Sequence, residues 1–266
     1  ITKYLPSYAG FLMQKEIENL GRIFDAKQPF VAVVAGSKFD TKIDSLYALL
    51  QKADKLVLGG VIYNAYLCSK YGISIKGVGE DDVQKAAEFV AFAQQYPDKV
   101  VELPFILESD IMGERVEGKY RVHDIRELKP GTKLNYVLDI DPRSYDVPEI
   151  LDVFLRAKTI FVNAVMGLMP HFNEGTIGLD TVIDRNPHAV KLYGGGDTMQ
   201  ELKRLLPGLY IMALDSRDYY IFTGGGAVLK AIEQSSHYGI APVKALMDLK
   251  SEQERWKSRL ARTREL

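Results

Sequence analysis

The chain has 266 residues, 47% hydrophobic and 26% charged, and its 34 Lys plus Arg against 35 Asp plus Glu give a formal charge of −1. Such length and balance favour a folded chain with a substantial core over disorder, and they supply no global basic field that would hold a nucleic acid. No apolar run approaches the ~20 residues of a membrane-spanning helix, and the single Cys68 excludes an internal disulfide and a multi-cysteine zinc site, so a soluble protein of a reducing, cytoplasmic compartment is expected.

The amino terminus, ITKYLPSYAGF, has no initiating Met and lacks the basic-then-apolar form of a signal peptide. A piece of a longer chain is the expectation. Met13, Ile17, Leu20 and Phe24 then recur at helical steps, predicting an amphipathic helix over 11–26. The β-branched run from Pro29 to Ala35 predicts a strand ended by Gly36, and Ile43, Leu46, Tyr47 and Leu50 predict the helix after it. The unit repeats: Lys55 to Leu58 predicts a strand closed by Gly59-Gly60, Val83, Ala86, Ala87 and Val90 a helix, and Val100 to Leu103 a strand. Further strands are expected at Tyr136 to Ile140, Thr159 to Val162, Val190 to Tyr193 and Tyr219 to Thr223. Strands alternating with helices imply right-handed crossovers. The fold class is therefore α/β, a three-layer Rossmann-like domain with a mostly parallel twisted sheet. Glu108 to Gly131 fits no repeat of the pattern, and Tyr120-Arg121-Val122 suggests a strand pair in an excursion from the sheet. The last sixteen residues carry five basic and three acidic side chains around Trp256 and Leu260, a charged, helical tail over 251–266.

Glycines concentrate where strands end: Gly36, Gly59-Gly60, Gly194-Gly195-Gly196 and Gly224-Gly225-Gly226. In an open parallel sheet those ends share one edge, so the four turns are expected to converge on a crevice. Glycine admits close backbone approach, and a helix beginning behind it aims unpaired N–H groups and a positive dipole end at the crevice. A phosphate is the natural occupant, although any one glycine pair also serves as a plain tight turn. Lys38 and Lys42, four residues apart at the opening of a predicted helix, add two cations on one face. Asp197 suits the N-cap of the helix near Thr198. GxxxxGK[ST] is absent, and Gly77-Val78-Gly79 is not a dinucleotide fingerprint. His123, His171, His188 and His237 are scattered without ligand spacing, and Cys68 beside Ala65-Tyr66-Leu67 reads as a buried, inert thiol.

The run from Pro6 to Glu16, Ala35-Gly36-Ser37-Lys38-Phe39-Asp40-Thr41-Lys42-Ile43, Gly59-Gly60, Asn163, Gly194-Gly195-Gly196-Asp197-Thr198 and Thr223-Gly224-Gly225-Gly226-Ala227 stand in the order found in phosphoglycerate kinase. Over residues 5 to about 248 the chain resembles that family's hinge helix and carboxyl-terminal, nucleotide-binding half. The resemblance implies a hinge segment and interdomain helix over 1–27, a nucleotide-binding domain over 28–250, and a phosphoglycerate-binding half outside this chain. It implies Mg-ADP and Mg-ATP as ligands, with Lys38 on the phosphates, Lys42 steadying the transferred phosphoryl group and Asp197 helping to hold magnesium. The backbone of Gly195, Gly196 and Thr198 would cradle phosphates, Gly36, Ser37, Gly60, Gly194, Gly224 and Gly225 would border the crevice, and Val61, Asn163 and Gly167 would complete the nucleotide site. A monomer is expected.

The chain also departs from that pattern. Val162-Asn163-Ala164-Val165-Met166-Gly167-Leu168-Met169-Pro170 keeps only Asn163 and Gly167 of the family's stretch and lacks its ribose-binding glutamate, with Glu174 as the candidate substitute. Val61 stands where the family has a third glycine beside adenine, and Val228 replaces a serine. The resemblance thus implies phosphoryl transfer between 1,3-bisphosphoglycerate and MgADP, with the isolated piece inactive. A non-catalytic nucleotide sensor or docking module with the same fold is the alternative.

Overall fold

Residues 5, 7–39 and 42–248 are described by a computed structural model. The expected tail at 251–266 lies outside the described residues. Helix α1 (Phe11–Phe24) turns Leu20 and Ile23 inward. Strand β1 (Phe30–Gly36) is buried through Ala35, as a strand covered on both faces must be. Helix α2 (Ile43–Lys52) leads to β2 (Lys55–Gly59), and α3 (Gly60–Tyr71) ends on Gly72 at φ 64°, a left-handed stop that suits glycine. The chain continues through β3 (Ser74–Ile75), α4 (Glu80–Ala93), β4 (Val100–Val101), β5 (Phe105–Ser109), β6 (Tyr120–Asp124), β7 (Lys133–Leu134) and β8 (Tyr136–Ile140). After α5 (Pro148–Arg156) come β9 (Thr159–Asn163), α6 (Glu174–Asp184), β10 (Val190–Gly194), α7 (Gly196–Leu205), α8 (Pro207–Asp215), β11 (Tyr219–Phe222) and α9 (Gly225–Glu233).

The central sheet has six strands in the order β11-β10-β9-β1-β2-β4, and every pairing in it is parallel. Val33 of β1 lies opposite Val57 on one side and Val162 on the other. From β1 the chain steps outward to β2 and β4, then returns to the other side of β1 with β9 and steps outward again to β10 and β11. The order therefore reverses between β1 and β9, and a crevice opens at their carboxyl ends. Phe161 is fully buried in β9 behind that point, with its ring under Gly194.

Tyr136 to Ile140, expected as a strand of the main sheet, instead forms β8 of a separate antiparallel sheet of order β6-β5-β8. The excursion suggested at Tyr120 is that sheet's hairpin, in which Leu107 faces Val122. The strand expected from Val100 to Leu103 shortens to two residues, because Leu103-Pro104 leaves the sheet edge and the Pro104 carbonyl accepts from Ile125 N–H. Helix α3 has no amphipathic signature because Ile62 through Cys68 are all buried. Helix α1 is clasped by Glu16, whose Oε1 accepts from the Thr223 N–H at 3.0 Å and the Tyr220 hydroxyl at 3.3 Å. Among the described residues no helix is long and apolar enough to cross a membrane.

Phe161→Ala should remove about 3–5 kcal/mol of unfolding free energy, the usual cost of emptying a fully buried aromatic site. A lowered denaturant midpoint with an unchanged transition slope is the expected readout.

Candidate functional site

A cavity of about 770 Å³ lies at the reversal point, bordered by the carboxyl ends of β1 and β9 and the amino ends of α3, α7 and α9. All four glycine turns reach it. Gly36 and Ser37 line it from β1, Gly60 and Val61 from α3, Asn163 from β9, Gly167 from the following loop, Gly195, Gly196, Asp197 and Thr198 from α7, and Gly225 from α9. Gly195 sits at φ 132°, backbone that a side chain rarely tolerates. Gly225 lies so close that a Cβ on it would overlap the Gly195 backbone.

Lys42 organises this end of the sheet. Its Nζ donates to the Ala35 carbonyl and to Asn163 Oδ1, each at 2.5 Å, and Asn163 Nδ2 in turn donates to the Gly194 carbonyl. Burial lowers the lysine's pKa to about 8, opposed by the nearby Asp197 carboxylate. An ammonium has three N–H donors; with two committed to the protein, one remains for an oxygen in the cavity.

Some expected positions differ. Helix α2 begins only at Ile43, with Lys42 as its N-cap residue, so Lys38 precedes the helix instead of lying on it. Lys38 is not among the residues lining the cavity, nor are Gly194 and Gly224. Gly194 lies behind the wall as the acceptor for Asn163, and Gly224 is the N-cap of α9. Asp197 is not an N-cap: Gly195 holds that place without a side-chain cap, and Asp197 lies in the first turn of α7. Glu174 borders a smaller crevice and pairs with Arg115, so it does not replace a ribose-binding carboxylate in the large cavity. Cys68 is buried, which raises its pKa.

The opposite wall is apolar, with Val61, Met112, Val137, Leu138, Met166, Leu168 and Met169. Met112 and Asp139, which sequence reasoning missed, come from the antiparallel sheet and its long hairpin loop. Asp139 Oδ1 accepts from Ile140 N–H at 2.8 Å and Oδ2 from Gly175 N–H at 3.1 Å. Burial nevertheless pushes its pKa up to about 7. Glu201, also missed, lines the cavity one turn beyond Asp197; its spacing from Asp197 was the available signal. Among the described residues no group of three or more His, Cys, Asp or Glu side chains could enclose a metal. A divalent ion here would rest on Asp197 together with a ligand's own oxygens and water, a donor set that suits magnesium.

A sequence profile of phosphoglycerate kinase matches residues 1–235. The chain belongs to the phosphoglycerate kinase family. Its relatives include the phosphoglycerate kinase of Thermus thermophilus, 30% identical over 247 residues that cover 90% of this chain and 59% of that protein. The enzyme of Lactiplantibacillus plantarum is 33% identical, covering 88% of this chain and 55% of the relative. The structure of phosphoglycerate kinase from Coxiella burnetii superposes with a TM-score of 0.73 at 27% identity, covering 92% of this chain and 59% of that one. This chain thus spans under two thirds of the phosphoglycerate kinases it matches.

The contact between glycine turns predicts a selective penalty. Gly225→Ala should cost about 1–3 kcal/mol through overpacking. Gly226→Ala, whose added carbon meets nothing within 4 Å, should be neutral or slightly stabilising in parallel thermal unfolding.

Proposed function

We propose that the chain is the nucleotide-binding half of a phosphoglycerate kinase and that the cavity holds Mg-ADP or Mg-ATP. In the whole protein, a phosphoryl group would pass between 1,3-bisphosphoglycerate and ADP, with the 3-phosphoglycerate portion held by an amino-terminal half. The observation that carries this reading is the convergence of the Lys42 ammonium, the Asp197 carboxylate and the first turn of α7 on one space at the sheet's reversal point.

The chemistry needs no nucleophilic side chain. A transferring phosphoryl group requires in-line positioning and neutralisation of charge on its oxygens. Lys42 supplies a fixed positive charge, because two of its donors are spent holding it in place. Gly195 and Gly196 let phosphate oxygens approach the backbone, where the unpaired N–H groups at the start of α7 and its dipole favour negative charge. Asp197 is placed to hold magnesium, which when bound would neutralise further phosphate charge. The apolar wall of Val61, Met166, Leu168 and Met169 would exclude water from the base side.

Calorimetric titration with MgADP tests the reading. Binding should be measurable, and Lys42→Ala should weaken it by about 10–100-fold, the worth of a charge-assisted hydrogen bond. The 266-residue chain alone should show no phosphoryl transfer. Robust turnover by it would contradict the need for a second half.

The affinity should also depend on pH with a defined sign. Because the Lys42 pKa lies at about 8 without ligand, the lysine carries its charge below that pH and loses it above. Affinity for MgADP should fall as pH rises through about 8, with net proton uptake on binding in that range, and Lys42→Ala should flatten both trends.

A further inference from the structure

We infer that Glu201 is the specificity residue that reads the sugar hydroxyls of a nucleotide in this cavity, an assignment that rests on the nucleotide-binding role proposed above. Glu201 follows Asp197 by four positions on α7, so the two carboxylates share a helix face and lie about one turn, ~5.4 Å, apart. Both line the cavity. Asp197 marks its phosphate end, beside Lys42 and the Gly195–Gly196 turn. Glu201 reaches toward the apolar end, because its partner Arg204 also points Nη2 at Met169 Sδ, 3.3 Å away. A sugar lies between phosphate and base in any nucleotide, and Glu201 lies between the corresponding ends of the cavity.

Its bonding leaves the carboxylate half available. Arg204 brings both Nε and Nη2 to a single oxygen, Oε2, each at 2.7 Å. Among the described residues no donor reaches Oε1, although the Glu201 side chain is nine-tenths buried. Oε1 is therefore a carboxylate acceptor open to the cavity, where hydroxyl groups of a ligand can donate to it. The other carboxylates there are committed. Asp139 accepts a backbone N–H on each oxygen, Asp197 belongs to the phosphate end, and Glu174 faces away toward Arg115. Arg204 thus acts as a positioning residue, holding Glu201 with Oε1 free toward the diol.

Calorimetry on the intact chain with MgADP and with the magnesium complex of 2′,3′-dideoxyadenosine diphosphate tests this. The wild type should prefer the diol by about tenfold, the effect of a hydrogen bond to a charged group. Glu201→Gln, which keeps the shape, and Glu201→Ala should bring the ratio toward one, chiefly by weakening MgADP. The ratio cancels any damage that affects both ligands equally, and circular dichroism with the unfolding midpoint checks that each variant folds. A wild-type ratio near one, or a ratio that Glu201→Gln leaves unmoved, would overturn the role of Glu201 while leaving nucleotide binding intact. Failure of the wild type to bind either compound would overturn the nucleotide reading itself and this inference with it.

Discussion

A single half-buried ammonium joins three neighbouring strands where their order reverses. Lys42 donates to the last buried residue of β1 and to the terminal side chain of β9, which passes the connection to the end of β10. Taking a charge out of water costs several kcal/mol unless it is compensated. Both protein acceptors here are neutral oxygens, and the nearest carboxylate, Asp197, is exposed on the first turn of α7. The desolvation is therefore only partly offset by the chain itself, which is why the lysine's affinity for its proton falls. A region with surplus positive potential, backed by helix amino ends, is one that an anion completes.

Much of the central scaffold was legible because its physics is local. Strands β1, β2, β9, β10 and β11 announce themselves as short apolar runs ended by glycine or a turn, and parallel crossovers follow from their alternation with helices. The convergence of the glycine turns was likewise deducible, since the carboxyl ends of parallel strands share an edge. What escaped was set by tertiary packing. Helix α3 is buried around its whole circumference and so carries no periodic stripe, and β8 has the composition of a core strand yet pairs antiparallel outside the main sheet. The helix expected to carry both Lys38 and Lys42 starts at Ile43, a boundary that side-chain spacing alone does not locate.

The two walls of the cavity differ in the same way. The end beside Lys42 is made of backbone shape and two charges, and glycines spell that out in sequence. The opposite end is made of side chains drawn from distant segments: Met112 from the hairpin loop, Val137 and Leu138 from β8, and Met166 through Met169 from the loop after β9. No spacing rule links those segments. Val61, which stands where the family has a third glycine, also lines the cavity.

The interlock of Gly225 with Gly195 has a consequence for how this molecule can vary. A first side-chain carbon on Gly225 would run into the Gly195 main chain, whereas one on Gly195, already held by its positive φ, would press on the Thr198 and Asn163 side chains. Gly225 cannot acquire a methyl group and wait for its neighbour to turn aside, since its obstruction is main chain rather than a rotatable group. Any larger residue at Gly225 therefore requires the backbone of the Gly195 loop to move with it, so these two turns change together or not at all.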